Sequence, residues 1–215
     1  MMNEFLNEKI VIMDIDGTFF RDYKKVYKRI IGEIFGKNKA VIFINNFLYK
    51  INDLDIFSNT MFLFKCVILF YSIISFSSYR KNIIKFEKKY VNYAKKSIEL
   101  EYDRIIKPIE QKGYKVLFIS QDIFTEKLKK YVKNPIIIPK SKLVFVINNF
   151  LYMDVIFSVG NNYFDDILPA KILNFNSKKT KVVPVYIGKS RLAIKISGKN
   201  TLKFTDIRDF ITKHF

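Results

Sequence analysis

Cysteine is all but missing from this chain: Cys66 is the only one in 215 residues. A single thiol excludes an internal disulfide and any thiolate zinc cluster built within the chain, so a reducing compartment is the expected setting. Long apolar runs are missing too. A membrane span needs about 20 predominantly apolar residues, and the longest uninterrupted stretch, Cys66 to Ser78, offers thirteen. The segment Met1 to Lys9 holds acidic residues and lacks the positive-then-apolar order of a secretory signal, so the expected location is cytoplasmic. Tryptophan is absent, and only 7 glycines and 5 prolines occur. The chain draws instead on Ile, Phe, Tyr, Lys and Asn, the bias of an AT-rich genome.

Acidic residues are the scarce charge. Against 38 Lys and Arg stand 20 Asp and Glu, a formal net charge of +18. That balance favours anionic partners such as phosphorylated small molecules, nucleic acid or anionic lipid. The lysines are scattered along the chain, with no Arg-rich arm and no aromatic-interleaved RNA signature, so specific nucleic-acid binding is not expected. The length suits one well-buried core with a modest inserted subdomain.

The run Lys9 to Met13 is short, β-branched and apolar, as a buried parallel strand should be, and it leads straight into two aspartates and a glycine. Similar runs follow at Val116 to Ile119, Ile136 to Ile138, Val155 to Val159 and Val182 to Ile187. Helical stretches such as Thr125 to Val132 lie between several of them. This alternation predicts an α/β fold with a Rossmann-like parallel sheet and helices on both faces.

From Phe19 to about Arg104 the rhythm breaks and the sequence reads as helical. Tyr23, Val26, Tyr27, Ile30, Ile31 and Ile34 recur at helical spacing, with Gly36 as a stop. Ile83, Tyr90, Val91, Ala94 and Ile98 mark a second, charged helix. Met61 to Ser78 reads first as a buried helix, with Lys65, Ser72 and Ser75 on one narrow polar stripe. A membrane-surface role for it is the less favoured alternative. The expected organisation is a core of residues 1–18 and 105–215 interrupted by an all-helical cap of 19–104.

A strand ending Asp14-Ile15-Asp16-Gly17-Thr18 sets two carboxylates, two residues apart, at the mouth of a sheet where open α/β folds bind ligands. Carboxylates that close need a cation between them or a raised pKa. Mg2+ meets that need with oxygen ligands while leaving positions for water and phosphate.

This segment resembles the first motif of the haloacid dehalogenase-like (HAD) hydrolase superfamily. The resemblance implies that Asp14 is a nucleophile forming an aspartyl phosphate, a division of one hard displacement into two easier ones. It also implies that Asp16 is the general acid and base and that its backbone carbonyl binds the metal. Gly17 would permit the tight turn, and Thr18 would support the site from behind.

Further motifs occur in the family's order. Val116 to Ser120 is a strand ending in a hydroxyl that would hold the transferred phosphate, with Gln121 beside it. Lys142 or Lys140 fits the third-motif lysine, whose charge would offset the nucleophile and the phosphoryl oxygens. Lys142 is preferred because Leu143 to Met153 would then form the following helix. The fourth motif is a strand followed by Gly160-Asn161, three residues, Asp165 and the adjacent Asp166. Asn161 stands where the family has an aspartate, and an amide is a neutral, weaker ligand for Mg2+. Asn161 would ligate through its carbonyl, Asp165 or Asp166 would take over the metal, or the protein would bind phosphate with little turnover.

The resemblance therefore implies a Mg2+-dependent phosphatase acting on a small phosphorylated metabolite. Its metal ligands would come from Asp14, Asp16, Asn161, Asp165 and Asp166. The helical insertion and the Ile119-Ser120-Gln121 turn lean toward phosphoserine phosphatase-like relatives.

Overall fold

The computed structural model describes residues 8–15, 17–20, 23–36, 46, 60–120, 135–137, 154–176 and 181–215, with the backbone alone for 23, 24, 60–64, 98, 120, 135–137 and 176. A strand apolar on both faces is stable only when covered on both sides. Strand β1 (Lys9–Asp14) meets that condition, since every residue after Lys9 is buried. The remaining strands among the described residues are β2 (Tyr114–Ser120), β3 (Pro135–Ile137), β4 (Val155–Gly160), β5 (Val183–Ile187) and β6 (Leu202–Phe204). They form one sheet of order β3-β2-β1-β4-β5-β6, and every neighbouring pair is parallel. The four later apolar runs seen in the sequence all become strands of this sheet. Strand β6 has no counterpart among them, because Lys203 interrupts it and none of its three residues is fully buried.

Strand alternation divides the core. Val11, Met13, Val159, Val185 and Ile187 point into the main cluster, together with Ile105, Ile109, Phe210 and Ile211 of two helices. Tyr186, between Val185 and Ile187, turns the other way and packs with Ile167 and Ala193. Both faces of the sheet are thus covered, as a doubly wound fold requires.

Among the described residues between β1 and β2 lie the helices α1 (Tyr23–Phe35), α2 (Thr60–Ile74) and α3 (Tyr79–Gln111). The apolar spacing of α1 ends at Gly36, whose φ of 79° places it in the left-handed region that glycine adopts without strain. Tyr27 of α1 packs against Phe86 and Tyr90 of α3, at 5.3 and 5.0 Å between ring centroids. These side chains belong to the same buried cluster as β1, so the insertion shares the core of the sheet. Helix α3 runs unbroken for 33 residues through the expected boundary at 104/105. Glu101 on α3 pairs with Arg208 of the C-terminal helix α6 (Ile207–His214). The chain between β4 and α6 adds helices α4 (Leu168–Asn176) and α5 (Arg191–Ser197).

Helix α2 corrects one expectation. Val67, Ile68, Tyr71 and Ser72 are buried, but Cys66, Leu69, Phe70, Ile73 and Ile74 face water. An apolar run of this length reads as buried because its hydrophobicity has no strong side, yet only one side meets α1 and α3. Ser72 is buried and donates to the Ile68 carbonyl at 2.6 Å. Among the described residues, no helix is long and apolar enough to cross a membrane.

Candidate functional site

In this sheet β1 and β4 are the central pair at which the strand order reverses, with β2 and β3 on one side and β5 and β6 on the other. At such a point the connections leave in opposite directions and open a crevice beyond the carboxyl ends of the strands. The register fixes what lies there. Asp14 is level with Ile119 on β2, so Ser120 stands one residue further out. On the other side Met13 is level with Val159, and Asp14 and Gly160 are the next residues of their strands. Asp14, Ser120 and Gly160 therefore end three neighbouring strands at one edge.

Asp14 is 6% exposed, a buried carboxylate at the strand terminus. The chain then turns tightly. The Gly17 N–H donates to the Phe20 carbonyl at 2.9 Å, and the Phe20 N–H donates to the Ile15 carbonyl at 2.7 Å. Gly17 has φ 91°, a conformation costly for any residue with a Cβ. Thr18 is fully buried, and its hydroxyl has no hydrogen-bond partner among the described residues. An unmet buried hydroxyl costs about 1–3 kcal/mol, and in a native structure it calls for an explanation such as a catalytic role, a water or an ion.

The opposite wall of the crevice comes from the turn after β4. Asn162 caps a five-residue π-helical turn, Tyr163–Ile167, its side chain accepting from the N–H groups of Phe164 and Asp165 at 3.0 and 3.3 Å. Single π turns are uncommon and recur at functional sites. This one brings Asp166 back over the strand it has just left. The Asp166 carboxylate, 5% exposed, accepts the Asn162 N–H at 2.9 Å. The Asp166 carbonyl accepts from the buried Ser158 hydroxyl at 3.0 Å. Its side chain lies so close above Gly160 that an added Cβ would come within 2.1 Å of the carboxyl carbon.

Of the expected site residues, Asp14, Gly17, Thr18, Asn161, Asp165 and Asp166 are described, and Ser120 is described in its backbone. Asp166 is the deeply buried acid of the last pair; Asp165 and Asn161 are half-buried. Asp16, Gln121, Lys140 and Lys142 lie outside the described residues, as do the stretches Thr125 to Val132 and Leu143 to Met153. A lysine beside the π turn is committed elsewhere. Lys171 donates to the Ser197 carbonyl at 2.6 Å and lies 5.6 Å from the Tyr163 ring centre, and burial, with Lys203 second, holds its pKa below the usual lysine value. Two residues that the sequence reading missed, Ser158 and Asn162, hold Asp166 in place. An Asn followed three and four residues later by acids is a helix-start signal that would have found the second.

The donors fit a hard divalent cation. Carboxylate and amide oxygens are what Mg2+ prefers, and one or two carboxylates suffice when water and substrate phosphate complete the octahedron. Among the described residues, no three acidic, histidine or cysteine side chains converge. Asp14 ends β1, and Asp166 lies in the turn that follows the neighbouring strand β4. The unmet Thr18 hydroxyl and the close fit of Asp166 over Gly160 are both at home beside such a group. No protein-family model matches this chain, and no curated protein matches it in sequence.

Proposed function

We propose that this protein is a Mg2+-dependent phosphohydrolase of the HAD-like type, acting on a small phosphorylated metabolite with Asp14 as nucleophile. The observation that carries this reading is the buried Asp14 carboxylate ending β1 at the reversal of strand order, opposite an Asp166 carboxylate seated on the end of β4.

In this mechanism a carboxylate oxygen of Asp14 attacks the phosphorus of a phosphate monoester. The bond to the leaving oxygen breaks, and Asp16 delivers the proton that makes the leaving group an alcohol. Asp16, now a carboxylate, then removes a proton from water. That water attacks the phosphorus, inorganic phosphate departs and the Asp14 carboxylate is regenerated. Ser120 and Gln121 would hold the phosphoryl oxygens, and Lys142 or Lys140 would balance their charge. Asp14, the Asp16 carbonyl, Asn161 and Asp166, with Asp165 adjacent, would hold the cation. When bound, Mg2+ offsets the negative charge of nucleophile and phosphate as they approach. Residues 19–104, as a cap, would exclude water and select the leaving group.

The test is phosphate release from an aryl phosphate and a panel of phosphometabolites with excess Mg2+. Turnover that vanishes in Asp14→Asn and on chelation supports the reading, and no turnover across the panel overturns it. Asn161 motivates a second reading, a protein that binds phosphate with little or no hydrolysis. It would show phosphate binding without release of the leaving group.

A further inference from the structure

We infer that the tip of the α2–α3 hairpin is a docking surface for an anionic lipid bilayer. This does not rest on the phosphohydrolase reading.

The hairpin presents a continuous apolar surface to water. Cys66, Leu69, Phe70, Ile73 and Ile74 follow the i, i+3, i+4, i+7 spacing of one helix face, and all are exposed. Phe76 at the turn is 100% exposed, and Tyr79 and Ile84 continue the surface onto α3. A phenylalanine wholly in water is unusual, and this one also has φ 48°, the left-handed region that a side chain of its size avoids.

The surroundings over-determine that conformation. The Phe76 N–H donates to the Ile73 carbonyl at 3.1 Å and the Ser77 N–H to the Ser72 carbonyl at 2.9 Å. The Ser75 and Ser77 hydroxyls are 2.7 Å apart, and the buried Asn82 amide donates to both Ser72 and Ser77, at 3.0 and 2.8 Å. Ser78 caps α3. Backbone strain held by a dedicated polar network points to a function for what it displays, and what it displays is an aromatic wedge.

Charge selects the occupant. Between Asp55 and Glu87 the sequence has no acidic residue, while Lys65, Arg80, Lys81 and Lys85 are basic. Arg80, Lys81 and Lys85, in the first two turns of α3 after the wedge, are exposed. Apolar side chains next to cations match the boundary between acyl chains and anionic headgroups. A symmetric contact between two copies would instead press these cations together. Helix α2, with 15 residues, is about 22 Å long at 1.5 Å per residue, short of a hydrocarbon core of about 30 Å. It would therefore lie in the interface without crossing it.

The experiment is sedimentation of the full chain with vesicles of pure phosphatidylcholine or of phosphatidylcholine with phosphatidylserine, at low and physiological salt. Wild type should pellet with the phosphatidylserine vesicles only. The double variant Ile73→Gln, Phe76→Ser should bind about tenfold or more weakly while keeping the wild-type melting temperature. Because the chain has no tryptophan, Phe76→Trp supplies a single reporter, whose emission should shift to the blue on those vesicles. Three results would each overturn the inference: no binding at low salt, binding that the double variant fully retains, or a vesicle-independent dimer that the double variant dissociates. The second would mean adsorption through general positive charge, and the third that the face joins two copies of the chain.

Discussion

The carboxylate of Asp166 occupies the space that any side chain on residue 160 would need. A Cβ on Gly160 would lie 2.1 Å from both Cγ and Oδ2 of Asp166. Glycine at the end of β4 is therefore a condition for placing the acid. Gly160→Ala should displace Asp166 or the strand end, costing about 1–3 kcal/mol as overpacking does. Thermal melting and Mg2+ titration of the variant check this, and a variant unchanged in both would mean that Asp166 is not locked over the strand.

The two adjacent acids should not be equivalent. Asp166 is buried and bonded to the Asn162 N–H, while Asp165 is half-exposed. Asp166→Asn should weaken Mg2+ binding by at least the roughly 10- to 100-fold that loss of even a supporting partner costs. Asp165→Asn should do much less, and Asn161→Asp should tighten binding. Calorimetric titration of the three variants ranks them, and equal losses at 165 and 166 would contradict the assignment.

Asn82 should be the most sensitive polar residue of the α2–α3 hairpin. It is 7% exposed and its amide serves two serines. Asn82→Ala leaves the buried Ser72 hydroxyl without that donor, a loss of about 1–3 kcal/mol. Urea unfolding measures it, and an effect under about 0.5 kcal/mol, the range of ordinary surface changes, would mean that the network does not hold the turn.

His214, the only histidine, should titrate below its usual value. Its ring centre lies 5.1 Å from that of Phe210 and 5.7 Å from that of Phe157. Burial among these rings, with Lys213 second, disfavours the imidazolium. A base with a depressed folded pKa adds stability that is complete above the unfolded value, about 6.5, and lost as pH falls through the folded one. One side of the ring packs on these aromatics while the rest of the residue is exposed, so the effect on stability is small. NMR titration of the single imidazole should give a lower midpoint in the folded than in the urea-unfolded chain. A folded midpoint at or above the unfolded one would contradict the packing.

What the sequence revealed of the fold, and what it hid, follows from the length and sidedness of each element. Strands β1, β2, β4 and β5 were legible because strands of five to seven residues, mostly apolar and mostly buried, stand out as runs. Leu202 to Phe204 did not, because Lys203 breaks it and it is only partly buried. The burial of Met61 to Ser78 was misjudged because which side of a uniformly apolar helix meets the core depends on its neighbours. The β4 turn shows the same limit at the site. Gly160, Asp165 and Asp166 stood out as a motif, but whether 165 or 166 turns inward depends on how tightly the chain winds. The π turn over Tyr163–Ile167 decides it, and no side-chain pattern announces a π turn.

The most direct measurement is a search for the phosphorylated carboxylate itself. The protein is mixed with Mg2+ and an aryl phosphate, quenched in acid, and treated with borohydride, which reduces an acyl phosphate to an alcohol. Peptide mass analysis then locates the change. The expected result is conversion of Asp14 to homoserine, dependent on Mg2+ and absent in Asp14→Asn. Phosphate release with Asp14 unmodified, or conversion at another carboxylate, would contradict the assignment of Asp14 as nucleophile.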